Sequence, residues 1–128
     1  MTGKKATIIL SIFGVAVVIA VVSIAIPVYQ SGFWHGPDAK FGDQHLKTAV
    51  ALIELHKVRF DHYPKSLREL KYAGDWDGIA IQSVRYVVND EQNKYCVAVT
   101  RGWIGKPELD IPPEFWQGTG YDPSLCHN

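Results

Sequence analysis

Between Ala6 and Val28 the chain runs for 23 residues without a charged side chain. As a helix rising about 1.5 Å per residue, this segment spans roughly 34 Å, against about 30 Å for the hydrocarbon core of a bilayer. Its many β-branched residues would suit a strand in water. In lipid a lone segment must satisfy its own backbone, and a helix does so. The run therefore predicts a transmembrane helix over 6–28, anchored by Ile8, Ile12, Val15, Val18, Ile19, Val22 and Ile26. Lys4 and Lys5 precede it and the next basic residue is Lys40. The positive-inside bias then leaves residues 1–5 in the cytoplasm and carries the last hundred residues across the membrane. A cleaved secretory signal is the competing reading: Lys4-Lys5 would be its charged end, and Ser23-Ile24-Ala25 has the small-x-small form of a cleavage site. Both readings export the domain.

Residues 29–128 carry eleven basic and thirteen acidic side chains. A neutral to slightly acidic domain has no electrostatic footprint for nucleic acid, so that class of partner is excluded. A hundred residues make one small domain. Two cysteines are too few for a disulfide-dense miniprotein or a four-cysteine zinc site. In an oxidising compartment Cys96 and Cys126 pair by default, closing a loop of roughly 30 residues and contributing on the order of 3 kcal/mol. Two free thiols used for chemistry are the alternative, but no Cys-x-x-Cys motif is present.

Gly32, Gly36 and Pro37 predict a linker over 29–42. Phe33 and Trp34 fall where amphipathic rings favour the membrane–water interface, although Trp34 would serve equally in a core. Asp43 reads as the N-cap of a second helix ending near Asp61. Leu46, Ala49, Val50, Ile53 and Phe60 form its apolar stripe, interrupted by Lys57, with Lys47, Glu54, Arg59 and part of His56 on the other face. Tyr63-Pro64 ends it. Ser66-Leu67-Arg68-Glu69 reads as a capping box opening a helix of about two turns that stops near Gly74. Ile79–Asn89 and Lys94–Arg101 read as strands joined by a turn at Asp90–Asn93. Tyr95, Val97 and Val99 share one face of the return strand and match Val84, Tyr86 and Val88. That face would cover the second helix, with Cys96 pointing away toward a tail that brings Cys126. Glu114–Gln117 is a possible third strand.

This order of parts resembles the type IV pilin and pseudopilin superfamily. Val17-Val18-Ile19-Ala20 through Ala25-Ile26-Pro27-Val28-Tyr29-Gln30 is similar to the pilin hydrophobic helix, with its proline followed by Tyr-Gln. Leu52 through Leu70, with Tyr63-Pro64-Lys65-Ser66-Leu67, resembles the pseudopilin helix end, and Cys96 with Cys126 resembles the disulfide-bounded pilin region. The resemblance implies an α+β fold: an N-terminal transmembrane helix, an amphipathic helix packed on a small antiparallel sheet, and a C-terminal tail tied by a disulfide, with residues 43–128 as a periplasmic domain. It implies a structural or accessory role in a type IV pilus or type II secretion-type machine at a bacterial inner membrane, with membrane lipid and other protein subunits as partners. Two positions depart from the pattern. Alignment on Pro27 puts Lys5 where such precursors carry the cleavage glycine and Leu10 where they carry a helix glutamate. An anchored periplasmic binding protein, such as an immunity protein against a secreted toxin, fits the same size and export.

No catalytic role is expected, since no nucleophile constellation or phosphate-binding glycine loop occurs. No metal or cofactor is expected either. His35, His45, His56, His62 and His127 include no i, i+4 pair and no His-Glu-x-x-His. Asp110 and Asp122 resemble the acidic calcium loops of some pseudopilins, but Asp122-Pro123 also reads as a turn cap. Trp76, Trp103 and Trp116 are candidates for a partner surface, or large side chains that fill a thin core.

Overall fold

The computed structural model describes residues 2–32 and 35–127, with the backbone alone for residues 2–11. The chain divides after residue 34 into two compact units. The first contains helix α1 (Thr2–Gln30). Its Ile12–Gln30 stretch is 19 residues, long and apolar enough to cross a membrane, and none of it is buried. Ile12, Val15, Val18, Ile19, Val22 and Ile26 are all exposed, as lipid-facing side chains would be. The side chain of Ile8, and Phe33 and Trp34 entirely, lie outside the described residues. Ser23 Oγ donates to the Ile19 carbonyl at 2.7 Å, so this hydroxyl needs no partner beyond its own helix.

The second unit is α+β. Helix α2 (His35–Phe60) begins eight residues before the expected Asp43, so the expected linker over 29–42 is largely helical. Pro37 is tolerated because it lies in the first turn, where backbone N–H groups have no intrahelical acceptor. Leu46, Ala49, Val50 and Ile53 are buried as the stripe predicts, while Phe60, the last residue of α2, is half exposed. The expected two-turn helix after Ser66 is a single 3-10 turn, Leu67–Glu69. Ser66 Oγ accepts from Arg68 N, one residue short of a capping box, and Glu69 Oε2 from Lys65 N, one residue beyond it. Leu67 and Leu70 both reach the core, and a three-residue turn puts i and i+3 on one side.

Helix α3 (Asp75–Gln82) occupies the start of the expected first strand. Gly74 precedes it at φ 94°, a conformation that glycine adopts freely. Asp75 and Asp77 then suit its N-terminal dipole, and Ala80 and Ile81 bury one side. Strands β1 (Val84–Val88) and β2 (Tyr95–Val99) form a two-stranded antiparallel sheet, with Val84 opposite Val99 and Val88 opposite Tyr95. Asn89 closes the turn, its side-chain oxygen accepting from Asn93 N and Lys94 N. Tyr95, Val97 and Val99 face the core with the α2 stripe. The expected strand at Glu114–Gln117 is a 3-10 turn, Pro113–Trp116, set up by the fixed φ of consecutive prolines. The strand-like contact of the tail falls at Tyr121, which bridges Tyr95 in parallel. A 3-10 segment, Pro123–His127, follows, and Cys126 within it is bonded to Cys96, their Cα atoms 5.5 Å apart.

Candidate functional site

A groove of about 380 Å³ runs along β2. Leu46 of α2 and Val97 to Val99 line one side of it, and Pro107 and Leu109 to Ile111 line another. Trp116 and Tyr121 also line it, their rings stacked at 3.7 Å. The loop carrying Pro107 and Leu109 is held to α2 by Asp38, a buried carboxylate. Asp38 Oδ1 accepts from Ile104 N at 2.9 Å and Gly105 N at 3.4 Å. A Cβ at Gly102 would overlap this carboxylate, so a larger residue there would displace Asp38 from the loop.

Glu54 is assigned by periodicity to the outer face of α2. It turns inward: Tyr95 Oη donates to Glu54 Oε1 at 2.8 Å, and Tyr63 Oη lies 3.2 Å from both carboxylate oxygens. Gly120 N in turn donates to Tyr63 Oη at 2.8 Å, and Tyr86 Oη to the Pro64 carbonyl at 2.7 Å. One carboxylate thus joins helix, helix exit, sheet and tail. Burial, followed by the charge of Glu54, raises the Tyr63 hydroxyl to about 12. Burial, then the hydrogen bond to Glu54, also pushes Tyr95 up. The signal for this arrangement was the two tyrosines themselves, whose hydroxyls need partners once their rings are buried.

His45 and His56 are both buried, and His45 Nδ1 and His56 Nε2 have no hydrogen-bond partner. Burial, and then nearby Arg101, lowers the His45 pKa. Burial, then His62, lowers that of His56 against an opposing pull from Glu69, with Arg59 adding slightly. The structure brings His56 and His62 together, ring centroids 5.5 Å apart. Among the described residues no group of three or more His, Cys, Asp or Glu could hold a metal ion. Asp122 accepts from Ser124 N and Oγ and lies 3.2 Å from Lys94 Nζ, and these contacts lower its pKa. Asp110 is an exposed groove residue.

The three tryptophans sit on different elements. Trp76 projects from α3 and is 69% exposed, and Trp103 lies against Phe41 at 5.4 Å, while Trp116 lines the groove. Comparisons of the chain with protein-family models, curated proteins and solved structures find no match.

Proposed function

We propose that the chain is a membrane-anchored, pilin-like or minor-pseudopilin-like structural or accessory component of a type IV pilus or type II secretion-type machine. The observation that carries this reading is the order of parts along one chain. An apolar helix able to cross a membrane is followed by an amphipathic helix with a hairpin laid on it by its apolar face. The tail is then tied back to the hairpin by Cys96–Cys126. In this reading residues 1–5 lie in the cytoplasm and α1 crosses the inner membrane. The disulfide-bonded unit works in the periplasm, where such bonds persist. The partners are lipid around α1 and protein subunits around the domain. The chain is not an enzyme.

Lys5 and Leu10 favour a second reading, a permanently anchored periplasmic binding protein such as an immunity protein against a secreted toxin. Intact-mass analysis of protein purified from membranes separates the two. Loss of the residues through Gly3, with a methylated new N-terminus, is the outcome expected of a filament component. A chain that keeps its first residues transfers the assignment to the anchored binding protein.

A further inference from the structure

We propose that the turn Arg101–Lys106 is a membrane-surface contact: Trp103 and Ile104 enter the interfacial layer of the bilayer that α1 spans, and nearby cations meet anionic headgroups. This contact rests on the anchored reading of α1 and goes beyond it, because it puts part of the disulfide-bonded unit on the lipid.

The turn is built at one end of that unit. Gly102 N donates to Gly105 O, which closes the turn and leaves Trp103 and Ile104 at its tip. Asp38, in the first turn of α2, accepts from Ile104 N at 2.9 Å and from Gly105 N at 3.4 Å. Trp103 rests against Phe41, ring centroids 5.4 Å apart. The tip is thus fastened to the opening turns of α2, the end at which the chain arrives from α1.

Covalent length limits how far this end can stray. The apolar run stops at Val28, α1 at Gln30, and α2 begins at His35. Five residues fully extended span at most about 18 Å. The headgroup layer itself extends about 5–8 Å beyond the hydrocarbon. With α1 in the bilayer, lipid is always within reach of the start of α2, and a tethered contact needs little affinity of its own to be occupied.

The surface of the tip suits such a boundary. Trp103 is 57% exposed and Ile104 48%. Tryptophan is a side chain that the membrane–water interface favours, and isoleucine adds apolar area. The N–H groups of Gly102, Ile104 and Gly105 are already spent on Gly105 O and Asp38, so the turn can leave water without orphaning them. Lys40, Arg101 and Lys106 are exposed at this end, against exposed Glu108. Asp38 is buried, and Asp43 is paired with Lys47 at 2.7 Å. Residues 29–128 carry eleven basic and thirteen acidic side chains, yet the tethered end is basic, the complement of anionic headgroups. A protein could meet the same side chains, but the bilayer is the surface that the tether always supplies.

The test uses the full chain, labelled with 5-fluorotryptophan, in nanodiscs of zwitterionic lipid containing about one-fifth phosphatidylglycerol. The fluorine resonance of Trp103 is assigned by its loss in Trp103→Phe. Trp76, 69% exposed on α3, is the internal reference for water. A lipid with a nitroxide on its headgroup should relax Trp103 about threefold or more faster than Trp76, and a water-soluble gadolinium chelate should do the reverse. Lys106→Glu, and discs without the anionic lipid, should each cut the nitroxide effect on Trp103 about twofold or more. An effect indifferent to both overturns the role given to the cations. A chain that does not co-purify with the discs overturns the anchored reading and this contact with it. In a disc-bound chain, equal relaxation of Trp103 and Trp76 by the chelate overturns the contact alone. So does a Trp103 shielded from the chelate yet not reached by the nitroxide, which assigns the turn to a protein partner.

Discussion

The two stretches that follow β2 are held to the domain by opposite means. The tail from 118 to 127 is tied by a covalent bond at Cys126, by two backbone hydrogen bonds to Tyr95, and by Gly120 N on Tyr63 Oη. The loop from 102 to 111 is pinned near its start by one carboxylate, Asp38, and otherwise rests apolar side chains on α2. Covalent and ladder contacts fix a segment at the stability of the whole domain, whereas a loop with few directional bonds opens locally at lower cost. The groove lies between the two, with one fixed wall and one that can yield.

The comparison is tested hardest by removing the covalent tie. Cys96→Ser with Cys126→Ser releases a loop closed over a separation of 30 residues, and chain entropy predicts a loss of about 3–4 kcal/mol. Urea unfolding of the variant and of the parent, with and without reductant, measures it. A loss under about 1 kcal/mol would mean that the tail's hydrogen bonds suffice, and the contrast between tail and loop would fail.

Glu54→Ala comes next. It strips the acceptor from two tyrosine hydroxyls, and leaving part-buried donors unmet costs about 2–3 kcal/mol. Glu54→Gln keeps an acceptor oxygen and should recover part of that loss. Amide exchange at Tyr95 and Asp122 should quicken in the alanine variant, because the Tyr63 hydroxyl that receives Gly120 N is no longer positioned.

Asp38→Ala acts on the loop and on the first turn of α2, away from the tail. The expected cost is about 1–2 kcal/mol, with faster exchange at Ile104 and Gly105 and none at the tail amides. Equal acceleration in both segments would show that they open together.

How much of this was legible in the sequence follows from the range of the forces involved. The apolar run, the α2 stripe and the hairpin from Val84 to Val99 are local periodicities, and each appears in the structure. Helix α3 was misread because Ile79-Ala80-Ile81 has strand-like composition. Its helical state is set by Gly74, two aspartates in its first turn and packing against α2. The early start of α2 was hidden by Gly36 and Pro37, which read as breakers yet sit in the first turn. Gly42, further along the helix, faces Pro107, where any Cβ would overlap the proline ring. The inward turn of Glu54 depends on Tyr63 and Tyr95, nine and 41 residues away, and helical periodicity cannot see either. The groove was least legible of all, being assembled from α2, β2, the 107–111 loop and the tail, which lie far apart in the sequence.

Acidification gives the smallest expected effect and separates the two ends of α2. His45 and His56 have native pKa values below the ordinary 6.5, mainly through burial. Each binds fewer protons folded than unfolded, so stability is complete above about pH 6.5 and falls as pH drops from there toward the lowered native values. Urea midpoints should therefore decline between about pH 7.5 and about pH 5.5. His45 lies at the loop end, 6.2 Å from Phe41, which in turn contacts Trp103. His56 lies at the helix exit against Phe60 and His62. His45→Asn should remove the pH dependence of amide exchange at Ile104 and Gly105 and leave that of Tyr63 intact, and His56→Asn should do the reverse. If either variant flattens both, the loop end and the helix exit respond to protons as one unit.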